Sequence, residues 1–416
     1  MELLSIFSEN MFNRTLCPSI RSISTQFPVL MVTGPRQVGK TTLLEMSGDG
    51  HRAYVTLDDL EMRRLAQQDP ALFLQTWPAP VTIDEVQYAP QLFSAIKMVV
   101  DKDPRNGLFW LTGSQKFHLM QGMTESLAGR VAIVDLLGLS LAEQQGRATS
   151  SRPFVPTATW LTQARTFAQS LPLKALYEQI WMGSYPRLLA QGPQSRDVFY
   201  RSYVQTYVQR DVQDLLKVSD PLTFHRFLSV VAARTGQLLN YSNMANEVDI
   251  DLKTAKAWLS VLHASGLVYL LQPYHRNLTK RMIKSPKLYF LDTGLAAYLT
   301  KWSSPEALEA GSMSGAILET WAVSEILKSY WHNGKEAPLY FYRDTEQKEI
   351  DLLIEADDTI YPVEIKKTAA PSTQASKAFA AAEHLGKTVG PGAVLCLTPR
   401  DVPISATVTA IPLGYL

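Results

Sequence analysis

A chain of 416 residues, 46% hydrophobic and 19% charged, carries enough apolar material for two or three cored domains without a disulfide or zinc staple. Its two cysteines, Cys17 and Cys396, stand far apart without metal-ligand spacing, which argues for a reducing, cytoplasmic setting and against a disulfide scaffold. A net charge of +1, no leader pattern and no run near the ~18 apolar residues of a membrane span argue against secretion, membrane insertion and bulk-charge nucleic-acid binding, so any nucleic-acid contact must be a local patch.

The first predicted unit covers residues 1–148. The stretch FPVLMVTGPRQVGKTTLL reads as a buried strand, a tight loop and a helix start. Gly34 to Thr41 fits G-x-x-x-x-G-K-T. Gly39 lets backbone N–H groups approach phosphate oxygens, Lys40 reaches the β- and γ-phosphates, and the Thr41 hydroxyl ligates magnesium. Gly34, Pro35, Arg36, Gln37, Val38, Gly39, Lys40, Thr41 and Thr42 are therefore the expected ATP cradle, with the following helix presenting its positive end. A second strand, in APVTIDEVQ, delivers Asp84 to hold Mg2+ and Glu85 to orient or deprotonate the attacking water. A third, LFWLTGSQ, ends in Thr112, Gly113 and Ser114. Ser114 has two readings, a sensor of the γ-phosphate or a helix cap. Asp58 and Asp59, in VTLDD, are expected at the same rim, supporting the magnesium ligands from behind. Arg130, in SLAGR, reads either as a charge stabiliser in phosphoryl transfer or as a surface ion pair. Acting within its own chain it needs only a monomer; acting on a neighbour's nucleotide it needs a homo-oligomer.

The order GPRQVGKTT, LDD, TIDEVQ, LTGSQ, SLAGR resembles prokaryotic AAA-type ATPases of the AAA+ superfamily that carry a C-terminal domain of unknown function, DUF4143. The later stretches GSYPRLL, YVQRDV, KLYFLDTGLAAYL, EIDLLIE and VEIKK are similar to that C-terminal domain, so the resemblance spans nearly the whole chain. It implies ATP binding and hydrolysis and a three-layer P-loop α/β sandwich with a parallel sheet. It implies no substrate.

Residues 150–159, SSRPFVPTAT, read as a linker or surface excursion. A helical unit is expected over 160–310. From Asp197 onward, Val198, Tyr203, Val204, Tyr207, Val208, Val212 and Leu215 fall on one helical stripe, while Arg210 and Asp211 are candidates to pair with the ATPase domain. Residues 224–274 then read as three helices and a strand. Asn240 or Ser242 starts the second helix, a turn runs from Asp249 to Asp251, and Gly266 closes the third helix. This is a winged helix-turn-helix pattern, with Trp258, Leu259 and Leu262 as core and Lys253, Thr254 and Lys256 leading into a DNA major groove. The acid-free patch of Arg276, Lys280, Arg281, Lys284 and Lys287 supplies phosphate contacts. The alternatives are a solvated loop for the patch and a lid or protein-contact module for the unit.

The last unit, residues 311–416, contains EIDLLIEADDTIYPVEIKK. Strand alternation sets Ile350, Leu352 and Ile354 against Asp351 and Leu353, and Glu364 and Lys366 against Val363 and Ile365. A turn at Ala356 to Thr359 brings Asp351 beside Glu364, where two carboxylates suit Mg2+ and Lys366 activates water or stabilises developing charge. Glu319 falls on the stripe of Val323, Ile326, Leu327 and Tyr330, either as a fourth member of the site or as an acid of the first helical turn. Helix glutamate, hairpin aspartate and E-x-K resemble the PD-(D/E)xK nucleases, which implies a restriction-endonuclease-like α/β domain with Glu319, Asp351, Glu364 and Lys366 as catalytic residues and Asp351 and Glu364 as metal ligands. The alternative is a salt-bridged hairpin in which Lys366 neutralises Asp351 and Glu364, with Lys367 an exposed neighbour.

The expected function is that of an ATP-hydrolysing protein acting on DNA with an Mg-dependent nuclease domain. Its rival is a nucleotide-gated interaction module built on an inactive nuclease-like scaffold, in which Lys366 closes on the carboxylates.

Overall fold

The computed structural model describes residues 12–48, 50–114, 126–167, 169, 171–208, 220–274, 285–344 and 346–416. Of the residues singled out above, Arg210, Asp211, Val212, Leu215, Arg276, Lys280, Arg281 and Lys284 lie outside these, as do the side chains of Tyr207 and Val208.

Five strands form the first sheet in the order β2 (Ala53–Thr56), β3 (Val81–Asp84), β4 (Phe109–Gly113), β1 (Val29–Thr33), β5 (Val131–Asp135), and every pairing is parallel. β1 is buried throughout because both faces of a central parallel strand are covered. Its alternation splits the core. Leu30 and Val32 pack with Leu16 and Ile20 beside α1 (Cys17–Ser24) and with Leu43 and Leu44 of α2 (Lys40–Ser47). Val29 and Met31 pack with Ala66 of α3 (Leu60–Gln68) and with Phe93 and Ile96 of α4 (Leu92–Val100). Helix, sheet and helix make the expected three layers.

The 150–159 stretch is not a free linker. Phe154 is buried edge-on against Trp160, with ring centroids 4.8 Å apart; its N–H donates to Ser329 Oγ and its carbonyl accepts from Tyr330 Oη. An aromatic side chain with a docked backbone outweighs the Ser/Pro-rich composition that suggested a linker. Beyond α5 (Leu173–Met182), α6 (Arg196–Tyr203) runs into a π-helical turn, Val204–Val208. The helix buries Tyr200, Tyr203 and Val204, whereas Val198 is 58% exposed. Two residues before Tyr200, Val198 lies on the opposite face, so the stripe is anchored on Tyr200, which meets Tyr185 and Phe199.

The next elements are α7 (Pro221–Ala233), β6 (Gln237–Leu238), α8 (Tyr241–Val248), α9 (Leu252–Ala264), β7 (Val268–Pro273) and β8 (Lys287–Phe290). Asn240 caps α8 through Asn243 N–H and Asp251 caps α9 through Thr254 N–H; Asp249 turns the chain between them at a positive φ of 59°. Trp258, Leu259 and Leu262 are buried, while Lys253 and Lys256 are exposed. After α10 (Thr293–Leu299) the long helix α11 (Ser314–Trp331) leads into β9 (Leu339–Arg343), the hairpin β10 (Glu349–Ala356) and β11 (Thr359–Ile365), then β12 (Thr388–Val389), β13 (Gly392–Cys396), β14 (Val402–Pro403) and β15 (Val408–Pro412). These strands and the earlier three form one 10-stranded sheet, β14-β15-β13-β11-β10-β9-β7-β8-β6, with β12 set against β11. The link is β7 on β9, parallel, through Gln272–Tyr340 and Pro273–Phe341. A boundary at residue 310 therefore cuts between two halves of a shared sheet.

The three regions meet at a buried polar junction. Arg14 donates from Nη1 to the Val38 carbonyl (2.8 Å), from Nη2 to the Leu137 carbonyl (2.8 Å) and from Nε to Glu143 Oε1 (3.2 Å). Glu143 also accepts from Thr15 N–H and Ser140 N–H, and its Oε2 lies 3.3 Å from His332 Nδ1, just beyond α11. His332 Nε2 accepts from Leu137 N–H. Two turns before His332, Glu325 of α11 accepts from Leu141 N–H and pairs with Lys328, which donates to the Leu139 carbonyl.

Burial raises the Glu143 carboxyl, but the Arg14 guanidinium and His332 more than reverse this and hold it well below the usual carboxylate range. A carboxylate depressed in the folded state contributes stability that is complete above its unfolded value, about pH 4.3, and lost as pH falls through the folded value. Glu143→Gln is therefore expected to cost about 3 kcal/mol or more near neutrality, as removal of one member of a buried charge cluster does. Urea unfolding from about pH 3 to pH 7 checks this: the deficit should shrink in acid.

Candidate functional site

The loop after β1 has the backbone its sequence requires. Gln37 and Gly39 hold positive φ of 62° and 91°. At Gly34 a Cβ would lie 2.0 Å from the Leu136 carbonyl oxygen, so no side chain fits there. The Val38 carbonyl is held by Arg14, and Pro35 packs on Gly266, whose Cβ would fall 3.1 Å from the proline ring. Lys40 is buried and donates to the carbonyls of Gly34 (3.1 Å) and Pro35 (2.9 Å). Arg36 precedes Gln37 in the loop, and Thr42 follows Thr41 in the first turn of α2.

Parallel strands deliver their ends to this loop. Thr41 Oγ1 donates to Asp84 Oδ1 (2.9 Å). Asp84, the last residue of β3, also accepts from Thr112 of β4, from Tyr54 Oη (3.1 Å) and from Thr56 Oγ1 (3.4 Å). Burial, and then the Asp84 carboxylate, push the Tyr54 phenol far above its ordinary value. Glu85 sits at a positive φ of 56°; its N–H donates to Thr112 Oγ1 and its carboxylate accepts from Ser114 Oγ (3.2 Å) and from Gln87. Thr41, Asp84, Glu85 and Ser114 thus form one hydrogen-bonded group, and its oxygen-rich character fits magnesium, a hard cation. Tyr54 and Thr56 were missed by the motif reading; alternate residues of the strand AYVT are the signal that would have found them.

Two expectations are corrected here. Arg130 precedes β5, at the sheet end opposite the loop: its carbonyl accepts from Val29 N–H, and its guanidinium pairs with Asp101 (2.6 Å) and the Ala128 carbonyl. Parallel β1 and β5 put residue 130 beside the start of β1, not its end, so Arg130 does not meet the nucleotide loop of its own chain. Asp59 caps α3 by accepting from Glu61 and Met62 N–H, and the Asp58 carboxylate faces Arg63 (3.8 Å); Asp58 reaches Asp84 only through its backbone N–H, which donates to Thr56 Oγ1 (3.2 Å).

The second site is on the C-terminal sheet. Ala356 pairs with Thr359 across a two-residue turn, and one step beyond the Leu352–Val363 pair the register sets Asp351 opposite Glu364. A bulge against β9 between Ile350 and Leu353 breaks the expected alternation, so Ile350 joins Leu353 in one core layer while Leu352 and Ile354 join the other. Asp351 Oδ2 accepts from Ile365 N–H. Lys366 Nζ lies 2.5 Å from Glu364 Oε1 and 3.8 Å from Asp351 Oδ2. Glu319 lies in the second turn of α11, since the helix starts at Ser314, so a first-turn role does not apply. It accepts from Tyr289 Oη (2.6 Å) and Lys287 Nζ (3.1 Å). Lys367, a surface residue, bonds Glu309 and Ser314.

Lys287, Tyr289 and Glu349 are the members that the motif reading missed. Lys287, counted there with the basic patch, is buried within β8 and touches Glu319, Glu349 (2.5 Å) and Asp351 (4.0 Å). Its spacing from Tyr289 in KLYF, two residues on one strand face, was the available signal. Burial lowers the Lys287 ammonium, but Glu319, Asp351 and Glu349 carry it above its ordinary value. Burial and Asp351 raise Glu319. Carboxylate oxygens in this number suit a divalent cation, and Glu364 Oε2 is buried with no hydrogen bond to it. Yet among the described residues no three His, Cys, Asp or Glu side chains are gathered as metal ligands, and Lys287 and Lys366 stand among the carboxylates.

Burial first, then Asp351, push the Glu364 carboxyl up to about 7. A carboxyl raised above its unfolded value makes the fold lose stability as pH rises from about 4.3 to about 7. Glu364→Gln removes that loss, so its melting temperature should exceed that of the wild type at about pH 8 and converge with it near pH 5. Thermal melts at the two pH values check the sign.

Comparison with known proteins divides the chain in three. A family model described as an AAA domain matches residues 26–145, a domain of unknown function (DUF8612) matches 173–306, and a domain of unknown function (DUF4143) matches 314–416. Two uncharacterized mycobacterial proteins, Rv2008c of Mycobacterium tuberculosis and Mb2031c of Mycobacterium bovis, are each 29% identical over 404 residues, covering 96% of this chain and 83% of theirs. Among solved structures, a Walker-type ATPase of Pyrococcus abyssi (16% identity, TM-score 0.42) covers 70% of this chain and 97% of its own. The Holliday junction branch migration motor of Thermotoga maritima (13% identity, TM-score 0.31) covers 62% and 90%. The N-terminal region of this chain is thus similar to AAA-type ATPase domains, on a parallel five-stranded sheet carrying a P-loop.

Proposed function

We propose that this protein binds and hydrolyses ATP with magnesium and acts on nucleic acid through its C-terminal half. The observation that carries the ATP reading is the meeting of loop and strand ends: Thr41 on Asp84, with Ser114 on Glu85, beside the buried Lys40. Gly34 to Thr42 would cradle the phosphates, and Thr41 and Asp84 would hold Mg2+, which neutralises charge on the transferring phosphoryl group. Glu85 then positions water, and Ser114 fixes its carboxylate. Arg130 has a role on the nucleotide only from a neighbouring copy, which requires a homo-oligomer.

For nucleic acid, the support is the helix–turn–helix of α8 and α9 followed by β7 and β8, read as a winged helix, with Lys253 and Lys256 exposed. The nuclease reading is supported by the convergence of Glu319, Asp351, Glu364 and Lys366 on a sheet. Asp351 and Glu364 would hold magnesium, which supplies Lewis-acid polarisation of a phosphodiester.

The second reading, a nucleotide-gated interaction module with an inactive nuclease-like scaffold, is favoured by one observation: Lys366 already closes on Glu364 and Asp351.

Lys40→Ala should reduce ATP turnover by at least about 100-fold. Glu85→Gln should do the same while leaving nucleotide affinity within a few-fold, and a phosphate-release assay beside a fluorescent-nucleotide titration reads both. Linear, nicked and branched DNA incubated with Mg2+, with and without ATP, tests the rest. Cleavage abolished by Asp351→Ala and Lys366→Ala establishes the nuclease; ATP turnover with no cleavage on any substrate establishes the gated module.

A further inference from the structure

A buried lysine stands where the acid cluster would otherwise open. Lys287 Nζ lies 2.5 Å from Glu349 Oε1, 3.1 Å from Glu319 Oε1 and 4.0 Å from Asp351 Oδ1, and its side chain is 4% exposed. On the other side of Asp351, Lys366 approaches Oδ2 at 3.8 Å and Glu364 at 2.5 Å. Each oxygen of Asp351 therefore has its own ammonium. Glu364 Oε2 accepts no hydrogen bond although its side chain is nine-tenths buried. Arg343, at the rim, faces the second oxygen of Glu349 at 3.4 Å. Lys287 cannot retreat with its backbone: it is the first residue of β8 and is paired with Leu238 of β6 on one side and Leu271 of β7 on the other.

We propose that Lys287 is a resident cation: its ammonium takes the seat of a divalent metal among Glu319, Glu349 and Asp351, and metal binding by this cluster competes with it. The inference rests on the reading of Asp351 as a metal ligand; Glu364 stands with Lys366 on the other side of that carboxylate. An ammonium and a divalent cation at contact distance in one poorly solvated pocket repel each other, so both cannot be seated at once. Metal affinity is then set by how readily one side chain swings out of the cluster. That side chain belongs to the middle region of the chain, while the ligands belong to the C-terminal region.

The test is Mn2+ binding to the full-length protein by electron paramagnetic resonance, with thermal melts in chelator and in Mn2+. Wild type is compared with Lys287→Met, each with and without Asp351→Asn, which separates this cluster from Thr41 and Asp84. The expected result is Mn2+ affinity about tenfold or more higher in Lys287→Met, lost with Asp351→Asn, and a larger Mn2+-induced rise in melting temperature than in wild type. If Lys287→Met does not fold, Lys287→Met with Glu349→Gln, measured against Glu349→Gln alone, carries the same comparison with one carboxylate fewer. Binding only in the Met variant also supports competition, but removes metal-dependent cutting from the native protein. Equal or weaker Asp351-dependent binding in the variant overturns the role of Lys287 and leaves the metal reading standing. No Asp351-dependent binding in either protein overturns both.

Discussion

Glu143 is a carboxylate with no exposed surface, and much of the architecture follows from having to neutralise it. A lone buried charge is too costly to keep, so Arg14 must come to it from the N-terminal segment and His332 from the far end of α11. Arg14 also carries the Val38 carbonyl, and His332 accepts from the Leu137 N–H. The loop that would meet phosphate is therefore positioned by the same charge cluster that docks the helix bearing Glu319. Burial lowers the His332 imidazole while Glu143 pulls it back up, and with Nε2 accepting from Leu137 N–H the Nδ1 side faces Glu143. Glu325 and Lys328 repeat the arrangement one to two turns earlier against Leu139 and Leu141.

Local features were legible in the sequence because their partners are local. The P-loop pattern sits between a strand and a helix, and the hairpin turn is two residues long. Asn240 and the Asp249–Asp251 turn stand where capping chemistry puts them. The pairing of Thr41 with Asp84 follows from the parallel sheet, since both residues stand at the ends of neighbouring elements. What could not be read depends on distant partners. Nothing in the neighbourhood of Arg14 announces a glutamate 129 residues away. Lys287 looks like one more member of a basic run, because its acids come from α11 and β10. The bulge at Asp351 shifts a strand face without changing a residue type, so simple alternation misassigned Ile350. Arg130 kept two readings, of which the surface ion pair is the one found, for a related reason: sequence distance from a motif does not say which end of a strand a residue occupies.

The two candidate sites differ in how their charges are balanced. At the P-loop, hydroxyl groups of Thr41, Thr112, Tyr54 and Thr56 gather on Asp84, and Lys40 donates to the carbonyls of Gly34 and Pro35. Neutral donors can give way to a ligand without leaving a charge stranded. At the C-terminal cluster the partners are themselves charged, so a ligand must displace one ion to meet another. The first arrangement suits repeated exchange of a charged ligand; the second resists loading.

The parallel contact of β7 with β9 carries a consequence for how the chain comes apart. Divided at residue 310, the C-terminal fragment would present the bare edge of β9, a row of unpaired N–H and C=O groups of the kind that recruits other strands. It would also expose the acids around Asp351 without the lysine of β8 that offsets them. The N-terminal fragment would keep that lysine with no counter-charge, on a sheet of only β6, β7 and β8. The shared sheet crosses the gap between the regions matched at 173–306 and 314–416, so that gap does not separate two independently closed sheets.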